Sequence, residues 1–251
     1  LFLSLKRIFF LALADMKMNS VEQIIQQLKQ GADASLIEKR KVKFGIRAHK
    51  ALGLTQKQLN EIVKGTRKDK ELALALFQTS IYEARLLCAK LFPPKELTQE
   101  QAEVFVHELE NWEICDTYSM KLFAHSKFAP ILIDKWSKRE EEFVKRAAFA
   151  TLAGLTSADK KSDNSAFMPF FKLIEEAATD ERLYVKKAVN WALRSLGKRN
   201  VDLKIMAINL AEKLIKLDSK SAQWNGKDTL RELQNPKTRI ADYPRHLYSL
   251  H

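Results

Sequence analysis

The sequence predicts an all-α protein built as a solenoid of helix pairs. Three observations carry that reading. Seven Gly and six Pro are few for 251 residues, and they sit at segment edges, as at Gly31, Gly45, Gly53, Gly65, Pro93, Pro94, Pro130 and Pro169, which leaves long stretches free of breakers. Those stretches open and close with helix start and stop signals instead of alternating like strands. Helical segments also recur in matching register, the mark of a repeat array.

Taken in order, SVEQIIQQLKQG opens on Ser20 as N-cap, has Gln23 in the capping-box position, and stops at Gly31. TQKQLNEIVKGT reads the same way from Thr55. DKELALALF is a further helix, and SIYEARLLCAKLF follows with Ser80 as its expected cap. Pro93 and Pro94 interrupt the chain before TQEQAEVFVHELE. Then come NWEICDTYSMKLFAH, a short helix at FAPILIDKW, and REEEFVKRAAFATLAGL. NSAFMPFFKLIEEAAT, DERLYVKKAVNWALRSLGK, VDLKIMAINLAEKLIKL and SAQWNGKDTLREL complete the series. About a dozen helices, in about six pairs, are joined by loops of ordinary length.

With 46% hydrophobic residues, the chain can bury a substantial core. Lys and Arg outnumber Asp and Glu by 43 to 31, a net charge of +12, and the isoelectric point is near 9.6. That excess favours a polyanionic partner, nucleic acid first and an anionic membrane second. Cys88 and Cys115 are too few for a disulfide framework and point to a reducing compartment. His49, His107, His125, His246 and His251 are scattered, and no Cys/His spacing suits zinc, so no metal or other cofactor is expected. The opening LFLSLKRIFFLALAD resembles a short signal peptide, with Lys6 and Arg7 ahead of an apolar run too short to span a bilayer. Met16 and Met18 precede a clear helix. Residues 1–17 therefore read as a leader or extension, and residues 18–251 as a cytoplasmic repeat domain, at the nucleoid if the source is bacterial.

The repeat can be tested in register. FVKRAAFATLAGL from Phe143 aligns with YVKKAVNWALRSL from Tyr184, with Val, Lys, Ala, Leu and a final Leu coinciding. In the same register YEARLLCAKL closes at Leu91 and CDTYSMKL at Leu122. Six positions before Leu91, Leu122, Leu152 and Leu193 stand Arg85, Asp116, Arg146 and Lys187. Helix pairs at such a period are the signature of a helical solenoid, though the offsets of 31 and 30 residues are tight for a HEAT unit, and equivalent positions line up along one face of such an array. The three cations suit a phosphate backbone. A carboxylate among them repels DNA. Two explanations stand open for it: Asp116 forms an ion pair with Arg146, as in the charge ladders of repeat proteins, or it serves chemistry.

Trp112 lies four residues before Asp116 and Trp191 four residues after Lys187, so each shares a helical face with its row residue, and Arg194 follows Trp191 by one turn. Each indole taken alone suits ordinary core packing. Together they outline a cleft with Arg146, Lys187 and Arg194.

YVKKAVNWALRSLGKRN, the Trp-x-x-x-Asp spacing of NWEICD, FVKRAAFATL and KDKELALALFQTSIYEARLLCAKL together resemble the AlkD-type DNA alkylation-repair glycosylases. KVKFGIRAHKALGLT resembles the N-terminal region of that family, and the likeness runs from about Ser20 to Leu233. The resemblance implies HEAT-like pairs around duplex DNA, and excision of cationic N3- and N7-alkylated purines without drawing the base into a deep pocket. It places Trp112, Asp116 and Trp191 in the catalytic positions, with Arg146 and Arg194 as supporting contacts. Lys187, Arg194 and Arg85 are expected to meet phosphate. The implied partner is duplex DNA containing alkylated bases, bound by a monomer with no membrane association. Cys115 departs from the aliphatic residue expected before the Asp, and residues 1–17 have no counterpart. Two other readings compete: a non-catalytic DNA-binding module that senses distorted duplex, and a protein-interaction scaffold, which predicts an acidic or mixed groove.

Overall fold

The computed structural model describes residues 21–248. The expected leader at 1–17, the Ser20 cap and His251 lie outside the described residues. Among these, all regular structure is helical. The chain divides between Glu96 and Leu97 into two compact units.

In the first unit a helix over residues 21–30 (α1) ends at Gly31, as the stop signal predicts. α2, Ala34–Phe44, opens on Asp33, whose carboxylate accepts from the Ser35 and Leu36 amides, and closes on Gly45 in the left-handed region. No residue of α2 is buried, so it carries no apolar stripe, and the sequence pattern does not predict it. α3, Gln56–Ile62, has the full capping box of Thr55 and Gln58. α4, Lys70–Gln78, is capped by Asp69 and packs on α5, Tyr82–Leu91. Ser80 is not the cap of α5. It adopts a positive φ of 57°, and Ile81 holds the N-cap position without a side-chain bond. The loop before α3 is pinned by the buried Glu83, whose carboxylate accepts from the amides of Leu52 at 2.8 Å, Gly53 at 2.7 Å and Leu54 at 3.3 Å. Gly53 has φ 87°, and a Cβ there would lie 2.1 Å from the Asp33 carbonyl oxygen, so only glycine fits this crossing. Pro94–Glu96 forms a 3-10 turn.

The second unit is a run of consecutive helix pairs. They are α6 (Gln99–His107) with α7 (Trp112–Lys121), α8 (Ala129–Ser137) with α9 (Glu142–Ala158), α10 (Pro169–Ala177) with α11 (Leu183–Gly197), and α12 (Val201–Ile215) with α13 (Lys220–Leu233). Thr98 and Gln101 form a second capping box at α6, and Asn200 and Ser219 cap α12 and α13. Pro130 and Pro169 stand in the first turn of α8 and α10, where a missing amide hydrogen does no harm.

The second helices of the pairs lie side by side. Contacts between α7 and α9 advance together, from Cys115–Phe143 through Asp116–Arg146 to Ser119–Ala147. Those between α11 and α13 advance from Asn190–Asn225 to Arg194–Glu232. Each of these neighbours therefore runs parallel. Phe143 and Tyr184, equivalent in the sequence alignment, meet across α9 and α11 with ring centroids 5.5 Å apart. The helix-pair repeat is thus the observed architecture. α9 is the centre: Val144 and every residue from Arg146 to Thr156 are buried, because α7, α8 and α11 all pack on it. Its Ala-rich sequence allows that close approach. On the other layer Trp136 of α8 donates its indole N–H to Glu103 of α6 at 2.7 Å.

Two further features close the unit. Arg199 is buried and donates to the carbonyls of Thr156 and Ser162, both at 2.8 Å, and to that of Asp159, with its guanidinium 4.0 Å from the Phe167 ring centroid. The chain after α13 returns to the end of α11, where the Ala241 and Tyr243 amides donate to the Lys198 and Arg199 carbonyls, and finishes in α14, Arg245–Tyr248.

Candidate nucleic-acid interface and active site

Asn111 sets the position of the candidate site. Its side chain accepts from the Glu113 and Ile114 amides at 3.0 and 3.2 Å, so α7 begins at Trp112. Asp116 then follows one turn along the same face. The adjacent face is turned into α9, where the Cys115 thiol donates to the Phe143 carbonyl at 3.6 Å and the Ser119 hydroxyl to the Ala147 carbonyl at 3.4 Å. This register brings Asp116 opposite Arg146.

Arg146 grips the carboxylate with a planar fork. Nε donates to Oδ1 at 3.0 Å and Nη2 to Oδ2 at 2.8 Å. The remaining Nη1 donates to the Tyr184 carbonyl at 2.7 Å, so one guanidinium ties α7, α9 and α11 together. The Arg146 side chain is 7% exposed and that of Asp116 is 23% exposed. The cation is therefore committed to the protein, while the carboxylate keeps an open edge. Burial pushes the Asp116 carboxyl above the usual carboxylate range, against the opposing pull of Arg146. Burial, and next the charge of Asp116, also raise the Cys115 thiol far above its ordinary value, so it is no nucleophile.

On α11 the residues Tyr184, Lys187 and Trp191 recur at i, i+3 and i+7 and share one face. Lys187 is exposed and makes no ion pair among the described residues. Trp191 is half-buried, and its indole N–H has no hydrogen-bond partner among the described residues. Trp112 is also half-buried.

Two expected phosphate contacts are placed differently. Arg194 was expected to line the cleft as a contact for DNA. Its guanidinium is instead engaged by Glu232, with Asp228 at 3.7 Å, and Lys198 also binds Glu232 at 2.5 Å. The reason is the parallel register of α11 and α13, which delivers two carboxylates to its side. Arg85 lies in the first unit, 6% exposed, with its guanidinium 5.9 Å from the Phe77 ring centroid. It is a packed residue, not an exposed cation. The sequence did not single out Tyr184, whose contribution is a backbone carbonyl and so leaves no residue-type signal. It also passed over Trp224 and Lys186, which meet on α13 and α11 with Nζ 5.5 Å from the ring centroid. A Lys-x-x-x-Trp-x-x-Lys spacing from Lys220 is the signal that marks them.

Among the described residues no three His, Cys, Asp or Glu side chains converge to hold a metal ion. No helix there is long and apolar enough to cross a membrane.

Comparison with known proteins agrees with this architecture. The family described as DNA alkylation repair enzyme matches residues 24–222. No curated protein matches the chain by sequence. A solved member of a new family of proteins related to the HEAT-like repeat DNA glycosylases, with affinity for branched DNA structures, superposes with a TM-score of 0.71 at 18% identity, covering 87% of this chain and 96% of that one. The likeness establishes the HEAT-like fold. A designed armadillo repeat protein bound to a peptide gives a TM-score of only 0.40 at 15% identity, over 85% of this chain and 97% of its own, too low to carry any argument. With four-fifths of its length matched by that one family and with the HEAT-like helix pairs on which its charged row is built, the chain belongs to the DNA alkylation repair enzyme family.

Proposed function

We propose that the chain is a DNA glycosylase that hydrolyses the N-glycosidic bond of cationic N3- or N7-alkylated purines in duplex DNA, without drawing the base into a deep pocket. The observation that carries this reading is the Asp116 carboxylate, which keeps an open edge while both its oxygens are fixed by Arg146. A purely structural ion pair has no need of that open edge, nor of an indole one turn away at Trp112.

The chemistry follows from charge. An alkylated purine is cationic and leaves as a neutral base, taking the electron pair of the C1′–N bond. Positive charge passes to the deoxyribose, where a preorganised carboxylate stabilises it. A water then adds its oxygen to C1′ and releases a proton, for which Asp116 is the acceptor. Trp112 and Trp191 offer electron-rich ring faces to the cationic lesion and sugar, worth ~0.5–2 kcal/mol each. Lys187 contacts phosphate.

A second reading is favoured by the same pair: if Arg146 fully neutralises Asp116, the surface binds DNA without reacting. The solved neighbour, with its affinity for branched DNA structures, lends that reading support. Incubation with methylated duplex separates the two. Released alkylpurine and alkali-labile abasic sites are the expected result. DNA binding without release at enzyme excess overturns the glycosylase reading and favours the binder.

A further inference from the structure

We infer that Trp224 and the lysines around it form a second nucleic-acid contact, which stacks on an unpaired base of single-stranded DNA. The inference rests on the DNA-acting reading above for the identity of the polymer, but not on catalysis.

α13 has two unlike faces. Ser221, Ala222, Asn225, Gly226, Asp228, Thr229 and Leu233 are buried. The opposite face carries Lys220, Trp224, Lys227 and Arg231 at helical spacing, all exposed. Space dictates the arrangement. A Cβ on Gly226 would lie 2.4 Å from the Ala211 carbonyl oxygen, so the inner face of this helix lies hard against the backbone of α12 at that turn. Trp224 points outward and stays 38% exposed, an unusual state for a side chain that normally buries most of its area.

The surroundings of the ring are cationic. Lys186 places Nζ 5.5 Å from its centroid. Lys187, Lys220 and Lys227 make no ion pair among the described residues. The carboxylates of α11 and α13 are Asp228 and Glu232, and both are engaged, by Arg194, Arg231 and Lys198. Nearby, Glu181 accepts from the Ser221 amide. Glu181 and Asp218, which make no ion pair among the described residues, stand against Lys186, Lys187, Lys220 and Lys227, so the free charge of this face is positive.

A lone indole between lysines one turn to either side matches the repeating unit of a single strand, a flat base with a phosphate before and after it. Bases inside a duplex have both faces covered by their neighbours and offer an indole nothing to stack on. An unpaired base does. Phosphate contact from Lys220 and Lys227 then brackets the stacked ring.

The test uses the full chain and three ligands: a blunt duplex, the same duplex with a single-stranded dT overhang, and the methylated blunt duplex. Wild type is expected to prefer the overhang. Trp224→Ala should lose about 5- to 150-fold of overhang affinity, the range of one stacked base, with blunt-duplex affinity and alkylpurine release unchanged. Trp224→Phe should retain part of the preference, because a phenyl ring still stacks. Lys220→Gln with Lys227→Gln should reduce the salt slope for the overhang by about 0.7 per lost phosphate contact. Equal losses on blunt and overhang DNA, or no loss on either, overturn the inference. Base release with no overhang preference removes this inference alone. A Trp224-dependent preference without base release removes the glycosylase reading alone.

Discussion

Arg146 holds Asp116 through both carboxylate oxygens, at 3.0 and 2.8 Å, and is itself held by the Tyr184 carbonyl at 2.7 Å. Burial opposes the ionised carboxylate and Arg146 favours it. Burial raises the Asp116 carboxyl in the folded protein. A carboxyl raised on folding binds protons better folded than unfolded. Its effect on stability is therefore absent below the unfolded value near 3.9 and grows unfavourable as pH rises through the folded value.

Asp116→Asn tests this directly. The amide keeps the shape and an oxygen for Arg146 but removes the charge. The variant leaves the buried Arg146 cation without its counter-ion and should melt lower than wild type at pH 7, while single-turnover base release per folded molecule falls by about two to three orders of magnitude. DNA affinity should hold or improve, since a negative group leaves a phosphate-facing surface. Normal release from the folded variant would falsify the catalytic role of Asp116.

Under the proposed function Arg146 is a positioning residue, and its signature is a pH profile. On that reading release requires ionised Asp116 and should decline as pH falls through the raised carboxyl value. Arg146→Met removes the cation that opposes burial, which raises that value further. The acid limb of the rate profile should move to higher pH. Arg146→Lys keeps the charge without the fork and should lie between. Identical limbs in all three proteins would show that Arg146 acts only in packing.

Glu83 anchors the first unit through three amides of one loop. Glu83→Gln leaves a single carbonyl oxygen to accept from them, and should destabilise the protein by about 1–3 kcal/mol in urea titration. Base release at a temperature where the variant is folded should be unaffected. Unchanged unfolding would mean that water replaces the carboxylate at that loop.

Gly226→Ala places a methyl against the backbone of α12 and 2.7 Å from the Ile215 Cγ1. Overpacking against backbone should cost about 1–3 kcal/mol. At Gly65 a Cβ meets nothing within 4 Å and only φ of 78° resists it, so Gly65→Ala should be the milder change. Thermal melts of the two variants compare them, and the reverse order would contradict the crossing at Gly226.

Much of this was legible in the sequence because local and tertiary signals agree. Thr55–Gln58 and Thr98–Gln101 form the capping boxes that their spacing announces. The alignment of Phe143 with Tyr184 and of Asp116 with Arg146 became physical contact, since equivalent helices lie side by side. Where the signals part, the reading failed. α2 has caps at Asp33 and Gly45 but buries nothing, so hydrophobic period could not reveal it. Ser80 has the chemistry of a cap, yet the tight connection from α4 forces it to a positive φ. Arg194 looked free because its partners Asp228 and Glu232 come from a helix almost forty residues on. Trp224 drew no reading from the sequence, because only the packing of Gly226 against α12 shows which face of α13 is turned outward.

The side-by-side layer of α7, α9, α11 and α13 bears on how such a protein changes over generations. Its helices are docked by one set of residues, such as Cys115, Ser119, Asn190 and Gly226. The side chains it shows to solvent, such as Lys187, Trp191, Trp224 and Lys227, stand on separate helices or separate turns. A single codon can therefore alter one point of contact with a ligand while the scaffold beneath is inherited intact. A preference for one lesion or one strand geometry can drift in small steps, none of which requires the molecule to fold anew.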